Sequence, residues 1–419
     1  MAFVRDSAGV AHLGGVSLVQ LLADGLATPA YVYDVDAIVA EASALARGFD
    51  GHEHLVCYAV KANTAGRILR RMAAAGVGAD VVSEGELRVA VGAGIPAARI
   101  VWSGVAKQDR EIDTALGLGV CSIHAESVEE LARIEARARA AGVVAPVSLR
   151  VNPSVTADTH AHIATGHDEA KFGIALGAVP AALARIADSA HLRLVGLSTH
   201  VGSQMLEPTA YVAGVAVLAD LVRDLLGRGQ KLDLLDLGGG FGVDYGQGTP
   251  VAPAEFIRAA CALLDARGLP AMRLLCEPGR ALVASHGVLL ARVIQVKAQP
   301  VAAHAGWFLI DAAMNDLLRP ALYAARHRIE PVRQVAGAAT TTWKVGGPVC
   351  ESSDDFGLHD LPASTDAVVI REAGAYGYTM ASRYNGRAMP TEVFLEGGRV
   401  SAVSRVDDVA SWIAGRLAT

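Results

Sequence analysis

Eight times between residues 36 and 285, an apolar strand-like run gives way to an amphipathic helix-like stretch. The candidate strands are His54–Val60, Ala79–Val82, Arg99–Ser103, Val120–His124, Val147–Asn152, Leu192–His200, Leu232–Leu237 and Met272–Glu277. Helical patterns such as Arg67–Ala75, Glu84–Gly92, Ser127–Ala141 and Thr209–Leu226 separate them. Gly76, Gly92 and Gly142 stand where such helices end, because glycine accepts the left-handed backbone that closes a helix. Eight βα units in about 250 residues match the size and rhythm of a (β/α)8 barrel. An open, doubly wound sheet would alternate in the same way. The positions of the polar residues favour closure. Lys61 follows the first strand, Ser83 the second, His200 the sixth, Gly238 to Gly240 the seventh and Glu277 the eighth. In a barrel these strand ends open on one face and serve one site, whereas in an open sheet the outer ones lie too far apart.

After residue 285 the texture changes. Val288–Val296, Trp307–Asp311, Thr341–Val345, Ala367–Glu372 and Glu392–Leu395 read as short strands between Gly and Pro turns. The expected class is therefore α/β: a TIM-type (β/α)8 barrel over 36–285, plus a β-rich C-terminal domain over 286–419. Residues 1–35, around Tyr31-Val32-Tyr33, are expected to complete the second domain. A chain of 419 residues, 52% apolar and 19% charged, is large enough for two such cores. Its net charge of −6 gives no attraction to nucleic acid or an anionic membrane, and no apolar run reaches the ~18–20 residues that span a bilayer. Met1 to Gly15 lacks a basic segment followed by an apolar stretch, and Cys57, Cys121, Cys261, Cys276 and Cys350 show no paired spacing. Reduced thiols in a cytoplasmic protein are the expectation, with no metal centre.

Lys61 closes the apolar run Leu55-Val56-Cys57-Tyr58-Ala59-Val60, and Glu277 closes Met272-Arg273-Leu274-Leu275-Cys276. An amine and a carboxylate at the ends of buried strands are costly unless a partner or ligand meets them. Desolvation raises the fraction of free amine, the form that attacks an aldehyde, and a nearby carboxylate can hold a proton on a heterocyclic nitrogen. Pyridoxal phosphate chemistry is the reading that employs both. Leu237-Gly238-Gly239-Gly240-Phe241-Gly242 supplies a loop whose backbone N–H groups can approach a phosphate, and its spacing is not that of a dinucleotide fingerprint. His200, in Ser198-Thr199-His200-Val201-Gly202-Ser203, offers an imidazole able to pack on a planar ring. In the second domain, Arg319 can bind a carboxylate bidentately and Glu351 an ammonium; Cys350 can donate a proton and Tyr376 can donate to a phosphate.

Together these segments resemble the diaminopimelate decarboxylases, within the alanine-racemase-like (fold type III) pyridoxal-phosphate enzymes. Thr28-Pro29-Ala30-Tyr31-Val32-Tyr33-Asp34, Tyr58-Ala59-Val60-Lys61-Ala62-Asn63, Asp80-Val81-Val82-Ser83-Glu84-Gly85-Glu86-Leu87, Arg150-Val151-Asn152-Pro153, Lys171-Phe172-Gly173-Ile174 and Met380-Ala381-Ser382-Arg383-Tyr384-Asn385 also carry the resemblance. It implies that Lys61 holds the cofactor as a Schiff base and that His200 stacks on its ring. Ser203, Gly240, Gly279, Arg280 and Tyr376 would surround the phosphate, with Glu277 at the pyridine nitrogen. Arg280, Arg319 and Tyr323 would take the substrate's distal carboxylate, Glu351 its distal ammonium, and Cys350 would return a proton after CO2 leaves. The resemblance further implies a homodimer with shared sites, and decarboxylation of meso-diaminopimelate at its D-centre to give L-lysine. Ser352-Ser353-Asp354-Asp355-Phe356-Gly357 and Asn385-Gly386-Arg387-Ala388-Met389-Pro390 depart from the usual family pattern. They leave as the alternative a decarboxylase of another amino acid, of D-lysine or D-ornithine type or from secondary metabolism.

Overall fold

A computed structural model describes residues 3–155, 171–246, 248–404 and 409–418. The chain divides into two compact units, one of Val39–Val243 with Thr249–Ala281, the other of Met1–Ile38, Asp244–Gly248 and Leu282–Thr419.

The first unit is the expected closed barrel. His54–Ala59, Gly78–Val81, Ile100–Trp102, Ser122–Ala125, Ala145–Asn152, Leu192–Ser198, Leu234–Asp236 and Arg273–Cys276 pair in parallel, and the eighth strand returns to the first through Leu275 opposite Leu55. Strand pleating decides what the lumen holds, since residues two apart share a face. Leu55, Cys57, Val101, Val195, Leu234 and Leu275 pack together as an apolar floor. Two positions beyond Val101, Leu234 and Leu275 come Ser103, Asp236 and Glu277, so the lumen turns polar toward the C-terminal strand ends. Helix starts are encoded locally. Ser83 accepts from the Glu86 N–H at 3.2 Å while Glu86 accepts from the Val82 N–H, and Ser127 and Glu130 repeat the arrangement with Glu126. Gly142 ends its helix at φ +68°, as expected. Gly92 instead remains helical; Ala93 caps that helix and Gly94 takes the left-handed turn at φ +96°.

The second unit is built on a long strand, Gly287–Val301, which extends past the expected Val288–Val296. Ala30–Asp34 joins it antiparallel and pairs in parallel with Thr391–Glu396, so the N-terminal segment completes this sheet. Ile329–Pro331, Asp355–Leu361 and Arg399–Val403 add strands that the hydropathy pattern did not announce. Ile329–Pro331 is short, Asp355–Leu361 has polar residues through its length, and Arg399–Val403 has no buried residue. A separate apolar cluster, including Leu13, Leu18, Val32, Leu290, Val369 and Leu395, forms the core of this unit.

Candidate active site

Lys61 lies on a 3-10 turn, Val60–Ala62, immediately after the first barrel strand rather than on the strand itself. Strand register sets Ala59 beside Asp80, and two residues further on the Lys61 Nζ meets Asp80 Oδ2 at 2.6 Å. Asp80 is fully buried and also accepts from the Ser103 hydroxyl. Burial pushes its carboxyl up, but the Lys61 ammonium and the Ser103 hydrogen bond outweigh that and hold it below the usual range. Lys61 thus faces a carboxylate that attracts the charged amine, against the expectation of a free amine.

Glu277 lies at the end of the eighth strand, 8% exposed, with Oε1 3.6 Å from His124 Nδ1. His124 Nε2 lies 3.8 Å from Asp236 Oδ2. At those separations Glu277 Oε1, Asp236 Oδ2 and His124 Nε2 are buried without a hydrogen-bond partner. Burial, reinforced by Asp236 and Asp80, raises the Glu277 carboxyl well above its ordinary value. Burial likewise pushes Asp236 up to about 7 and His124 down to about 3. An acid held protonated, beside a buried oxygen with no donor, is prepared for a ligand that brings a basic or cationic nitrogen.

His200 is pushed down to about 3, first by burial and then by the Arg150 and Lys61 cations, so its ring is neutral. Its Nδ1 accepts from the Gly239 N–H at 3.4 Å. The glycines around it are required sterically. A Cβ on Gly239 would strike the Glu277 carbonyl oxygen, and one on Gly240, at φ +95°, would strike the Gly202 carbonyl oxygen. Arg280 donates to Ser203 Oγ at 3.0 Å, joining two of the expected phosphate ligands. Arg150, 2.7 Å from Glu126, adds its field to His200, Asp236 and Glu277. Lys61, His200, Ser203, Gly240, Glu277, Gly279 and Arg280 all belong to the barrel unit. Asp80, Ser103, His124, Arg150 and Asp236 join that neighbourhood without having been given roles from the sequence. Ser103 and Asp236 carried a signal, as polar residues two positions beyond Val101 and Leu234, whereas Asp80, His124 and Arg150 follow no apolar lumen residue of their own strands.

Arg319, Tyr323, Cys350, Glu351 and Tyr376 belong to the other unit. Arg319 is 6% exposed at the start of the helix Arg319–Tyr323, Tyr323 is half-buried and Tyr376 adopts φ +54°. Cys350 and Glu351 are exposed. Two neighbouring residues hold them: Asn385, which opens one of the departures from the family pattern, accepts from the Cys350 N–H through Oδ1 at 2.8 Å, and the Tyr384 hydroxyl donates to Glu351. Asp354 clamps the same loop by accepting from the Met314 and Val349 N–H groups at 2.7 and 2.9 Å.

The sequence-family model for the pyridoxal-dependent decarboxylase, pyridoxal binding domain, matches residues 35–284. Diaminopimelate decarboxylase of Pseudomonas aeruginosa is 42% identical over 96% of this chain and 95% of its own length, and that of Neisseria meningitidis serogroup B is 39% identical over 95% of each. Among solved structures, diaminopimelate decarboxylase from Helicobacter pylori complexed with L-lysine superposes with a TM-score of 0.89 at 35% identity, covering 96% of this chain and 100% of that one. The enzyme from M. jannaschii in co-complex with L-lysine gives a TM-score of 0.91 at 31% identity, over 99% and 98%. Barrel, second sheet and near-full-length similarity agree, and the chain belongs to the diaminopimelate decarboxylases, a family of pyridoxal-dependent carboxy-lyases.

Proposed function

We propose that this enzyme removes CO2 from the D-centre of meso-2,6-diaminopimelate to give L-lysine, acting in lysine biosynthesis in the cytoplasm with pyridoxal 5'-phosphate as cofactor. The observation that carries the reading is the pairing of Lys61 on Asp80 together with the buried, partnerless Glu277 Oε1 in the same polar lumen, on a carboxyl that burial raises well above its ordinary value. These residues fit the cofactor: an amine for its aldehyde, an acid for its ring nitrogen and a glycine cradle beside Ser203 and Arg280 for its phosphate. When bound, the cofactor supplies a carbonyl that links covalently to amines and an electron-withdrawing ring that takes up the electron pair released as CO2 departs.

The chain's residues do the rest. Lys61 would hold the cofactor through its side-chain amine, and Asp80 keeps that lysine in place. Glu277 keeps a proton at the ring nitrogen, which preserves the ring's electron demand. His200, neutral in its buried setting, packs on the ring without adding charge. Gly240, Gly279, Ser203, Arg280 and Tyr376 bind the phosphate. Arg280, Arg319 and Tyr323 hold the distal carboxylate and Glu351 the distal ammonium, so that only an L-configured far end is retained. Cys350 Sγ passes its proton to Cα once the carbon–carboxylate bond has broken. Cys350 and Glu351 are exposed on the single chain. This suits a homodimer in which they complete the partner's site, with residues 36–285 as the cofactor domain and 1–35 with 286–419 as the substrate and interface domain.

The test is CO2 release from meso-, LL- and DD-diaminopimelate, D-lysine, ornithine and arginine. Preference for the meso isomer, with L-lysine as product, is the expected result. Preference for D-lysine or ornithine would favour the alternative decarboxylase, whose substrate lacks the second carboxylate.

A further inference from the structure

We propose that His327 is the positioning residue for Arg319, a neutral imidazole that aims the guanidinium at the substrate's distal carboxylate. The inference rests on the reading above that Arg319 binds that group. Arg319 Nη1 lies 2.8 Å from His327 Nε2, and both residues are buried, at 6% and 3% exposure. A guanidinium only donates, so Nε2 carries the lone pair. Nδ1 of the same ring lies 2.9 Å from the Arg371 carbonyl oxygen. A carbonyl only accepts, so Nδ1 carries the proton. One species satisfies both contacts, the neutral Nδ1–H tautomer.

Tyr245 supplies a second constraint. Its ring centre lies 4.5 Å from Arg319 Cζ and 5.2 Å from the His327 ring centre, with the two rings inclined at 72°. The guanidinium is thus steadied on its face by an aromatic ring and along its edge by an imidazole nitrogen. A carboxylate in place of His327 would hold the arginine as firmly and cancel its charge. A neutral imidazole orients the group while leaving its charge undiminished by that contact, which suits recognition of an anion. His327 therefore sharpens selection for ligands that carry a second carboxylate and contributes nothing to those that lack one.

Two substitutions divide the ring's two functions. Asparagine reaches only the δ position, so H327N keeps a donor for the Arg371 carbonyl and loses the acceptor for Arg319. Glutamine reaches the ε position, so H327Q restores that acceptor. The readouts, on cofactor-loaded full-length enzyme, are KM for meso-diaminopimelate and the competitive inhibition constants of L-lysine and cadaverine. L-lysine keeps the distal carboxylate and cadaverine does not. H327N is expected to raise KM and the L-lysine constant about tenfold, leaving kcat and the cadaverine constant within about twofold, with H327Q close to wild type. Equal shifts for all three ligands in both variants, or failure of both to fold, would make His327 a structural fixture and overturn the proposal. R319Q separates the underlying reading. If it leaves the L-lysine to cadaverine ratio unchanged, the assignment of Arg319 fails; if it collapses the ratio and H327N does not, only the role of His327 fails.

Discussion

Glu277→Gln should strengthen the cofactor-free fold while disabling the enzyme. The Glu277 carboxyl is 8% exposed and held well above its ordinary 4.5 by burial, with Asp236 and Asp80 adding to the rise. A carboxyl that stays protonated in the fold but ionises in the unfolded chain makes stability fall as pH rises. Its contribution is complete below the unfolded-state value and is lost progressively up to the raised folded value. The slope approaches about 1.4 kcal/mol per pH unit for such a group between the two values. Glutamine is neutral in both states and removes that loss. With cofactor bound the effect should reverse, because in the proposed arrangement the carboxylate would become the counter-charge of a buried cationic nitrogen. Breaking such a pair costs about 3–4 kcal/mol, or two to three orders of magnitude in kcat. The assays are denaturation midpoints of cofactor-free wild type and variant from about pH 5 to 7.5, and CO2 release by the loaded enzymes. The variant should show the flatter pH dependence, the higher midpoint at neutral pH and the lower kcat. Identical pH slopes in the two proteins, or a kcat within about threefold of wild type, would refute the reasoning.

Asp80→Asn removes the carboxylate 2.6 Å from Lys61 and should lower kcat/KM about 10- to 100-fold, measured by CO2 release alongside visible absorbance of the loaded enzyme. Gly240→Ala forces a Cβ against the Gly202 carbonyl at a positive-φ position and should weaken cofactor affinity about 10- to 100-fold, read by titration of the cofactor-free protein. Lys107, 3% exposed and 3.0 Å from Glu130, also bonds the Gly104 and His124 carbonyls. Lys107→Met should destabilise the fold by about 3 kcal/mol in urea unfolding, with the turnover of the remaining folded enzyme little changed.

The barrel was legible because its strands are largely buried on both faces, and runs such as Leu55 to Val60 and Leu274 to Cys276 are apolar up to a polar residue at the end. Lys61 and Glu277 were legible for the same reason. The partners of those residues were not. Asp80 meets Lys61 through the register that sets Ala59 beside it, and His124 meets Glu277 from the fourth strand, pairings that one-dimensional spacing does not contain. In the second unit, Asp355–Leu361 alternates weakly and Arg399–Val403 lies at a sheet edge with no buried residue, so neither shows an apolar run. Residues Asp244–Gly248 group with the second unit although they fall within the barrel's stretch of sequence. Tyr245 finds Arg319 and His327 there, a contact that no local pattern signals.

The proposed function depends on Lys61 as the residue that carries the cofactor. Reduction of the loaded enzyme with sodium borohydride, followed by peptide mass mapping, tests it directly. The expected result is a single pyridoxyl-phosphate adduct on the peptide containing Lys61, with loss of visible absorbance and of activity. A stable adduct on another lysine, or full activity after reduction, would contradict it.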